Sequence, residues 1–278
     1  MRPTVKELKQ KANQLRKKVL ETTLQIGISH LGGTFSCMDI LVALYYGGIL
    51  KIDHTNPKWS KRDRFLIGKG HACLALYHIW VELGLLDESR LRKYEQKQYG
   101  EEGTTLNNQL NLSIPGCEYA TGSLGHAIGV GAGMALSGKI DHEDYKTFVL
   151  VGDGECSEGS IWESIIFAGR TKLDNLIAIV DRNRFSMSNV VEDDDGSGSI
   201  DEKFIACGWE CTVIDGHSFK EIIAVFDKIE ELEKPLAIIA DTIKGKGVSF
   251  MKGAQWHCSV LTKENFDNAV KELEMEIL

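Results

Sequence analysis

The chain has 278 residues, enough for one large α/β domain or two ordinary ones. Its 32 Lys+Arg against 40 Asp+Glu give a formal charge of −8 and a pI near 5.6, which excludes a general nucleic-acid binder that needs a basic face for phosphates. Hydrophobic residues make up 43% and charged residues 26%, the balance of an ordinary globular protein, and no apolar run approaches the ~18 residues of a membrane helix.

Residues 1–20 are too charged for a secretory leader and read as the start of the fold. Thr4-Val5-Lys6-Glu7 fits a capping box, and Val5, Leu8, Ala12, Leu15, Val19, Thr23 and Ile26 lay one apolar stripe on a long helix ending at Gly27. Ser36 with Asp39 repeats the capping pattern before a second helix carrying Ile40, Leu41, Leu44 and Tyr45. A βα rhythm follows. Apolar runs at 64–67, 147–151, 176–180, 210–214 and 235–240 predict strands, and helical patterns at 74–83, 161–171 and 219–232 predict the crossovers. This is the signature of an α/β fold, a mostly parallel sheet with helices on both faces. No Pro/Ser-rich linker interrupts it, so residues 1–278 are expected to form a single domain.

Two stretches stand out within that rhythm. Gly122, Gly125, Gly129, Gly131, Gly133 and Gly138 crowd an apolar segment, although each glycine inside a helix costs ~1 kcal/mol relative to Ala. Tight helix packing and close approach of a ligand are both consistent with it. The acidic run 192–195, followed by Gly196-Ser197-Gly198-Ser199, reads as a solvated loop. The seven cysteines, Cys37, Cys73, Cys117, Cys156, Cys207, Cys211 and Cys258, form no CxxC pair and no zinc-type cluster, and read as reduced thiols of a cytoplasmic protein.

The informative segment is Val149-Leu150-Val151-Gly152-Asp153-Gly154, taken with Asp181-Arg182-Asn183. Asp153 and Asn183 each end a strand and lie one helical crossover apart, so adjacent parallel strands bring both to the same sheet edge, where ligands of open α/β sheets bind. A carboxylate with an amide carbonyl suits a hard cation such as Mg²⁺ that keeps phosphate oxygens among its other ligands. Gly152 and Gly154 let such oxygens approach the backbone, and a helix starting near Ser157 would point its positive end at them.

Gly-Asp-Gly with an asparagine one crossover later resembles the thiamine diphosphate-binding pattern, and the chain resembles the N-terminal, diphosphate-binding part of transketolases. The resemblance runs through Ser29-His30-Leu31-Gly32-Gly33, Arg62-Asp63-Arg64-Phe65 with Gly68-Lys69-Gly70-His71, Pro115-Gly116 and Thr121-Gly122-Ser123-Leu124-Gly125. It continues through Gly152-Asp153-Gly154, Glu158-Gly159 and Glu163 to Lys244-Gly245-Lys246-Gly247 and Trp256-His257. It implies thiamine diphosphate as cofactor, with Mg²⁺ or another divalent cation held by Asp153, Asn183 and the carbonyl of Phe185. It implies that His71, His257, Gly152, Gly154, Glu155 and Asn183 contact the cofactor, and that Gly122, Ser123 and Leu124 line it. His30, His71 and His257 would face substrate hydroxyls and move protons. Glu158, counted among the catalytic residues, and Glu163 match acids that link paired active sites across a dimer interface. His54, His78, His142 and His217 read as surface or packing residues, while His126 stands where some relatives carry Gln.

The chain departs from the pattern at Leu106-Asn107-Asn108-Gln109-Leu110-Asn111. There Asn108 or Gln109 replaces a histidine that contacts the donor sugar, so a less usual sugar phosphate, such as a branched one, is expected. Ser186-Met187-Ser188 also differs from the usual ending of the metal loop. In transketolases a second domain supplies the glutamate that activates the aminopyrimidine. The resemblance therefore implies the first subunit of a split enzyme, in a dimer of heterodimers. Its partner would bring the pyrimidine half-site, the C-terminal domain and the phosphate-binding arginines. Two other readings are a different thiamine enzyme chain (2-oxo acid dehydrogenase alpha-like or deoxyxylulose-phosphate synthase-like) and a non-catalytic binding module.

Overall fold

A computed structural model describes residues 2–92, 106, 108–187, 189–191 and 198–275. The acidic run 192–195, with Gly196 and Ser197, lies outside the described residues, as do Asn107 and Ser188.

The first helix, α1 (Val5–Ile26), begins at the expected capping box: Thr4 Oγ1 accepts from Glu7 N, and Glu7 Oε2 accepts from Thr4 N at 2.7 Å. It ends at Gly27, whose φ of 88° suits only glycine without strain. A two-residue strand, β1 (Ile28–Ser29), leads into α2 (Leu31–Ser36) and α3 (Met38–Tyr46). The capping box expected at Ser36 and Asp39 does not form, because both side chains have stronger partners. Ser36 closes α2 and donates to the buried carboxylate of Asp181 at 2.6 Å, while Asp39 receives the guanidinium of Arg16 at 2.9 and 3.0 Å.

The chain then alternates through β2 (Arg64–Ile67), α4 (Cys73–Glu82), α5 (Glu88–Arg92), α6 (Ala127–Ile140), β3 (Thr147–Gly152), α7 (Gly159–Arg170) and β4 (Leu176–Arg182). After these come α8 (Ile200–Ala206), β5 (Glu210–Asp215), α9 (Phe219–Phe226), β6 (Leu236–Asp241), β7 (Ser259–Val260) and α10 (Lys263–Met275). The helix expected over 219–232 stops at Phe226 and resumes as a 3₁₀ turn, Ile229–Glu231. The helix expected near Ser157 starts at Gly159, after a 3₁₀ turn spanning Gly154–Ser157.

Five strands pair in parallel in the order β2-β3-β4-β6-β5. Alternate side chains feed two apolar layers, as the period of two in a strand requires. Phe148, Leu150, Ile177 and Ile179 pack with the helices of one face, and Val149, Val151, Ala178 and Val180 with those of the other. All seven cysteines are thiols rather than disulfide halves. Among the described residues no helix is long and apolar enough to cross a membrane.

Packing accounts for the glycines inside α6. A Cβ on Gly131 would lie 2.5 Å from Val149 Cγ2 of β3, and one on Gly138 would lie 2.9 Å from the ring of Tyr145. Gly133 is exposed and faces open space. Gly131→Ala is therefore expected to destabilise the chain by about 1–3 kcal/mol through overpacking. Gly133→Ala should stabilise it by about 0.5–1 kcal/mol through helix propensity. Urea denaturation of the two variants measures the contrast.

Candidate active site

Four neighbouring strands deliver polar side chains to one edge of the sheet. Beyond β2 comes Gly68-Lys69-Gly70-His71, beyond β3 comes Asp153, beyond β4 comes Asn183, and beyond β6 the chain runs to Lys244. The register pairs Gly152 with Asp181, so Asp153 and Asn183 leave adjacent strands side by side.

The floor of this edge is a buried ion pair that sequence reasoning missed. The ammonium of Lys69 binds Asp181, and the two side chains are 3% and 0% exposed. Lys69 also donates to Gly33 O at 2.9 Å, and Asp181 accepts from Ser36, Thr242 and the Asn183 amide. Burial opposes ionisation of Asp181, yet the charge of Lys69 prevails and holds its carboxyl below the usual range. The Asn183 amide nitrogen donates to Asp181 at 3.2 Å, which orients Asn183 Oδ1 as an acceptor for Phe185 N.

Asp153 lies beside this pair. Its oxygens accept from Gly154 N at 2.8 Å and Arg184 N at 2.5 Å, but among the described residues no cationic side chain is bound to it. Burial first, and then the charge of Asp181, pushes its carboxyl up to about 6. A buried carboxylate short of positive charge, with an amide oxygen and a backbone carbonyl nearby, fits a divalent cation that draws its remaining ligands from phosphate and water. Among the described residues no three His, Cys, Asp or Glu side chains gather as an all-protein metal site.

Beside it stand three imidazoles. The β1–β7 pairing, Ile28 with Val260 and Ser29 with Ser259, sets His30 against His257, and the turn after β2 adds His71. Ring centroids are 5.2 Å apart for His30–His71, 5.3 Å for His30–His257 and 4.9 Å for His71–His257. Two glycines permit this approach. A Cβ on Gly32 would meet Trp256 O at 2.7 Å, and one on Gly33 would meet His71 Nε2 at 3.2 Å. His30 Nδ1 is buried with no partner among the described residues, so the cluster presents an open polar atom.

Lys244 completes the arrangement, although its motif carries no assigned role at the level of sequence. Its Nζ donates to Phe185 O at 3.3 Å and Ser186 O at 3.0 Å, and lies 3.4 Å from His257 Nδ1. Burial and the charge of Lys69 lower it to about 8. In turn, burial and Lys244 push His257 down to about 4 and lower His30, and burial with Lys69 takes His71 well below its ordinary value. All three rings are therefore neutral near pH 7. His257 in the fold binds fewer protons than in the unfolded chain between about pH 4 and 6.5, so its contribution to stability falls as pH drops through that window. Lys244→Met should move the His257 titration upward and narrow the window, which imidazole NMR measures.

The other candidates occupy different places. The carboxylate of Glu155 is engaged within the protein. Its carboxylate accepts from Gly125 N at 3.0 Å and Gly152 N at 3.2 Å, and it lies so close under Gly68 that no Cβ would fit there. It braces the loop that carries Gly122, Ser123 and Leu124, three residues at the rim. Gly154 packs against Ser186, with a Cβ position 3.2 Å from it, and Gly152 meets nothing nearer than 4.0 Å. Glu158, which caps the start of α7, and Glu163 within it are both exposed. His126 is exposed at the start of α6, and His78 is buried against Thr22 at 3.0 Å. Gln109 lies over the Gly70-His71 turn, where its Oε1 accepts from Thr121 at 2.9 Å.

Residues 8–277 match the family model for the transketolase thiamine diphosphate binding domain. The chain is 39% identical to an apulose-4-phosphate transketolase subunit of Phocaeicola vulgatus, covering 98% of this chain and 96% of that protein. It is 36% identical to a 6-deoxy-6-sulfo-D-fructose transketolase subunit of Clostridium sp., covering 97% of each. Transketolase from Campylobacter jejuni superposes with a TM-score of 0.88 at 29% identity, over 98% of this chain but only 43% of that longer one. The chain belongs to the transketolase family and corresponds to its thiamine diphosphate-binding domain.

Proposed function

We propose that the chain is the cofactor-anchoring subunit of a two-chain transketolase that moves a two-carbon ketol unit from a ketose phosphate to an aldose phosphate. The observation that carries this reading is the meeting of His30, His71 and His257 beside the Asp153–Asn183 edge. Asp153, Asn183 Oδ1 and the Phe185 carbonyl would hold Mg²⁺, with the Lys244 ammonium turning from that carbonyl toward the diphosphate. Gly152 and Gly154, His71, His257 and Lys244 would face the diphosphate, and Gly122, Ser123 and Leu124 the rest of the cofactor. Bound thiamine diphosphate supplies the electron sink for cleaving the bond beside a ketose carbonyl.

The residues of this chain then bind, orient and move protons. A neutral imidazole at His30 or His257 can accept a proton from a donor hydroxyl as the carbon–carbon bond breaks and return it to the acceptor sugar. The buried walls and the Lys69–Asp181 floor hold these rings in place. Glu158 and Glu163, exposed at the start of α7 and within it, suit contact with another chain. The naming of two relatives as transketolase subunits supports a separate partner, and we extend this to a cytoplasmic dimer of heterodimers. Their named sugars, together with an amide rather than an imidazole at Gln109, favour an uncommon sugar phosphate as donor. An amide can hydrogen-bond a hydroxyl without titrating near neutrality.

The test is to combine the chain with its partner, thiamine diphosphate and Mg²⁺, and to offer a panel of linear, branched and sulfonated ketoses. Aldose release that requires both chains is expected. Ketol transfer by this chain alone, or pyruvate turnover without sugar turnover by the pair, would contradict the proposal.

A further inference from the structure

Lys244 is held at the site by backbone on both sides. On one side Gly245 N donates to Gly32 O at 3.0 Å, in the first turn of α2, just after His30. On the other, Ile243 N donates to the side chain of His217, with Nε2 at 2.8 Å. A backbone N–H can only donate, so Nε2 must be the unprotonated nitrogen and Nδ1 must carry the hydrogen. Nδ1 then donates to Asp39 Oδ2 at 2.7 Å. Asp39 is itself fixed by the two-pronged contact with Arg16, whose other bonds go to Phe35 O at 3.1 Å and Asn13 Oδ1 at 3.2 Å. The side chains of Arg16, Asp39 and His217 are 2%, 5% and 9% exposed. His217 is further restrained from below, because its own N–H donates to Asp215 and Gly216 packs against Thr242.

From this chain of contacts we infer that His217 is a positioning residue. It fixes the Ile243–Lys244 backbone so that the Lys244 ammonium reaches the diphosphate end of the cofactor site. The inference rests on the reading of Lys244 given above and deepens it. His217 touches neither cofactor nor substrate in this scheme. It acts through one hydrogen bond, and Arg16 and Asp39 set its tautomer and direction. That arrangement also explains why an imidazole suits this position, since few side chains can donate to Asp39 and accept from Ile243 N at the same time.

Two substitutions separate those roles. His217→Gln can place an amide oxygen where Nε2 stood, keeping the acceptor for Ile243 N. His217→Asn keeps a donor for Asp39 but is too short to reach Ile243. Binding of thiamine diphosphate with Mg²⁺ is measured by calorimetry on the chain assembled with its partner, alongside thermal unfolding. His217→Asn is expected to weaken binding roughly 5- to 10-fold, the value of one hydrogen bond, with kcat at saturating cofactor changed less than about twofold. His217→Gln should restore near-normal affinity. Lys244→Met should weaken binding further, and adding His217→Asn to it should cost nothing more, because both changes act through the same ammonium. Imidazole ¹⁵N spectra should show His217 protonated at Nδ1 and bare at Nε2.

Additive losses in the double variant, or a silent His217→Asn beside a damaging Lys244→Met, would overturn the inference alone. A silent Lys244→Met would overturn the Lys244 assignment and the inference with it. An Nε2-protonated His217 would overturn the inference whatever the variants do.

Discussion

Lys69→Met is expected to cost about 3–5 kcal/mol of stability, because it leaves the fully buried carboxylate of Asp181 without its counter-charge. For a chain of this size that corresponds to a fall in Tm of roughly 10 °C. The pair is tied to more than the core. Asp181 also holds Ser36 of α2, Thr242 beyond β6 and the Asn183 amide, so its loss loosens three segments that converge on the site. An unpaired buried carboxylate takes up a proton readily, and the penalty should therefore shrink as pH falls toward 5. Pairing Lys69→Met with Asp181→Asn should recover part of the loss, since a neutral amide avoids the stranded charge. Thermal unfolding across pH measures both effects, and an unchanged Tm in the single variant would contradict a supporting role for the pair.

Asp153→Asn is expected to have the largest effect on ligand binding. The carboxylate is buried, is pushed up to about 6 by burial and Asp181, and supplies the only negative charge in the proposed cation set. Substitution keeps one oxygen to accept from a backbone N–H but removes the charge a divalent ion needs. Loss of a buried charged contact of this kind costs about 2–5 kcal/mol, so thiamine diphosphate affinity in Mg²⁺ should fall roughly 30- to 5000-fold and lose its dependence on the cation. The unliganded fold should not suffer in proportion, because an ionised Asp153 is itself an unfavourable group there. Calorimetry with and without Mg²⁺, read beside the Tm, separates the two. Unchanged affinity would remove Asp153 from the cation site.

Much of this was legible in the sequence because parallel strands buried on both faces appear as short apolar runs. Each of the five sheet strands lies within two residues of its expected position. The placement of Asp153 and Asn183 on adjacent strand ends followed from the length of one crossover. What the sequence concealed depended on tertiary partners. Lys69 and Asp181 are 112 residues apart, and each sat in a motif that attracted attention to a neighbour, His71 in one case and Asn183 in the other. A lysine between glycines shortly after β2, and an aspartate near the C-terminal end of β4, were the available signals. Ser36 and Asp39 matched a local capping pattern, but a buried carboxylate and a guanidinium outcompeted the helix end for them. The glycines of α6 were open to two explanations until β3 supplied the surface that Gly131 meets. His217 looked like a surface or packing residue because neither Asp39 nor Ile243 is near it in the chain.

The central claim is that the ends of β3 and β4 form the cation and diphosphate anchor. Crystals of the chain with its partner, grown with thiamine diphosphate and Mn²⁺ in place of Mg²⁺, test it by anomalous diffraction. The expected result is one manganese peak between Asp153, Asn183 and the Phe185 carbonyl, in contact with the diphosphate. Cofactor density with the peak elsewhere, or with no peak at that edge, would contradict the account.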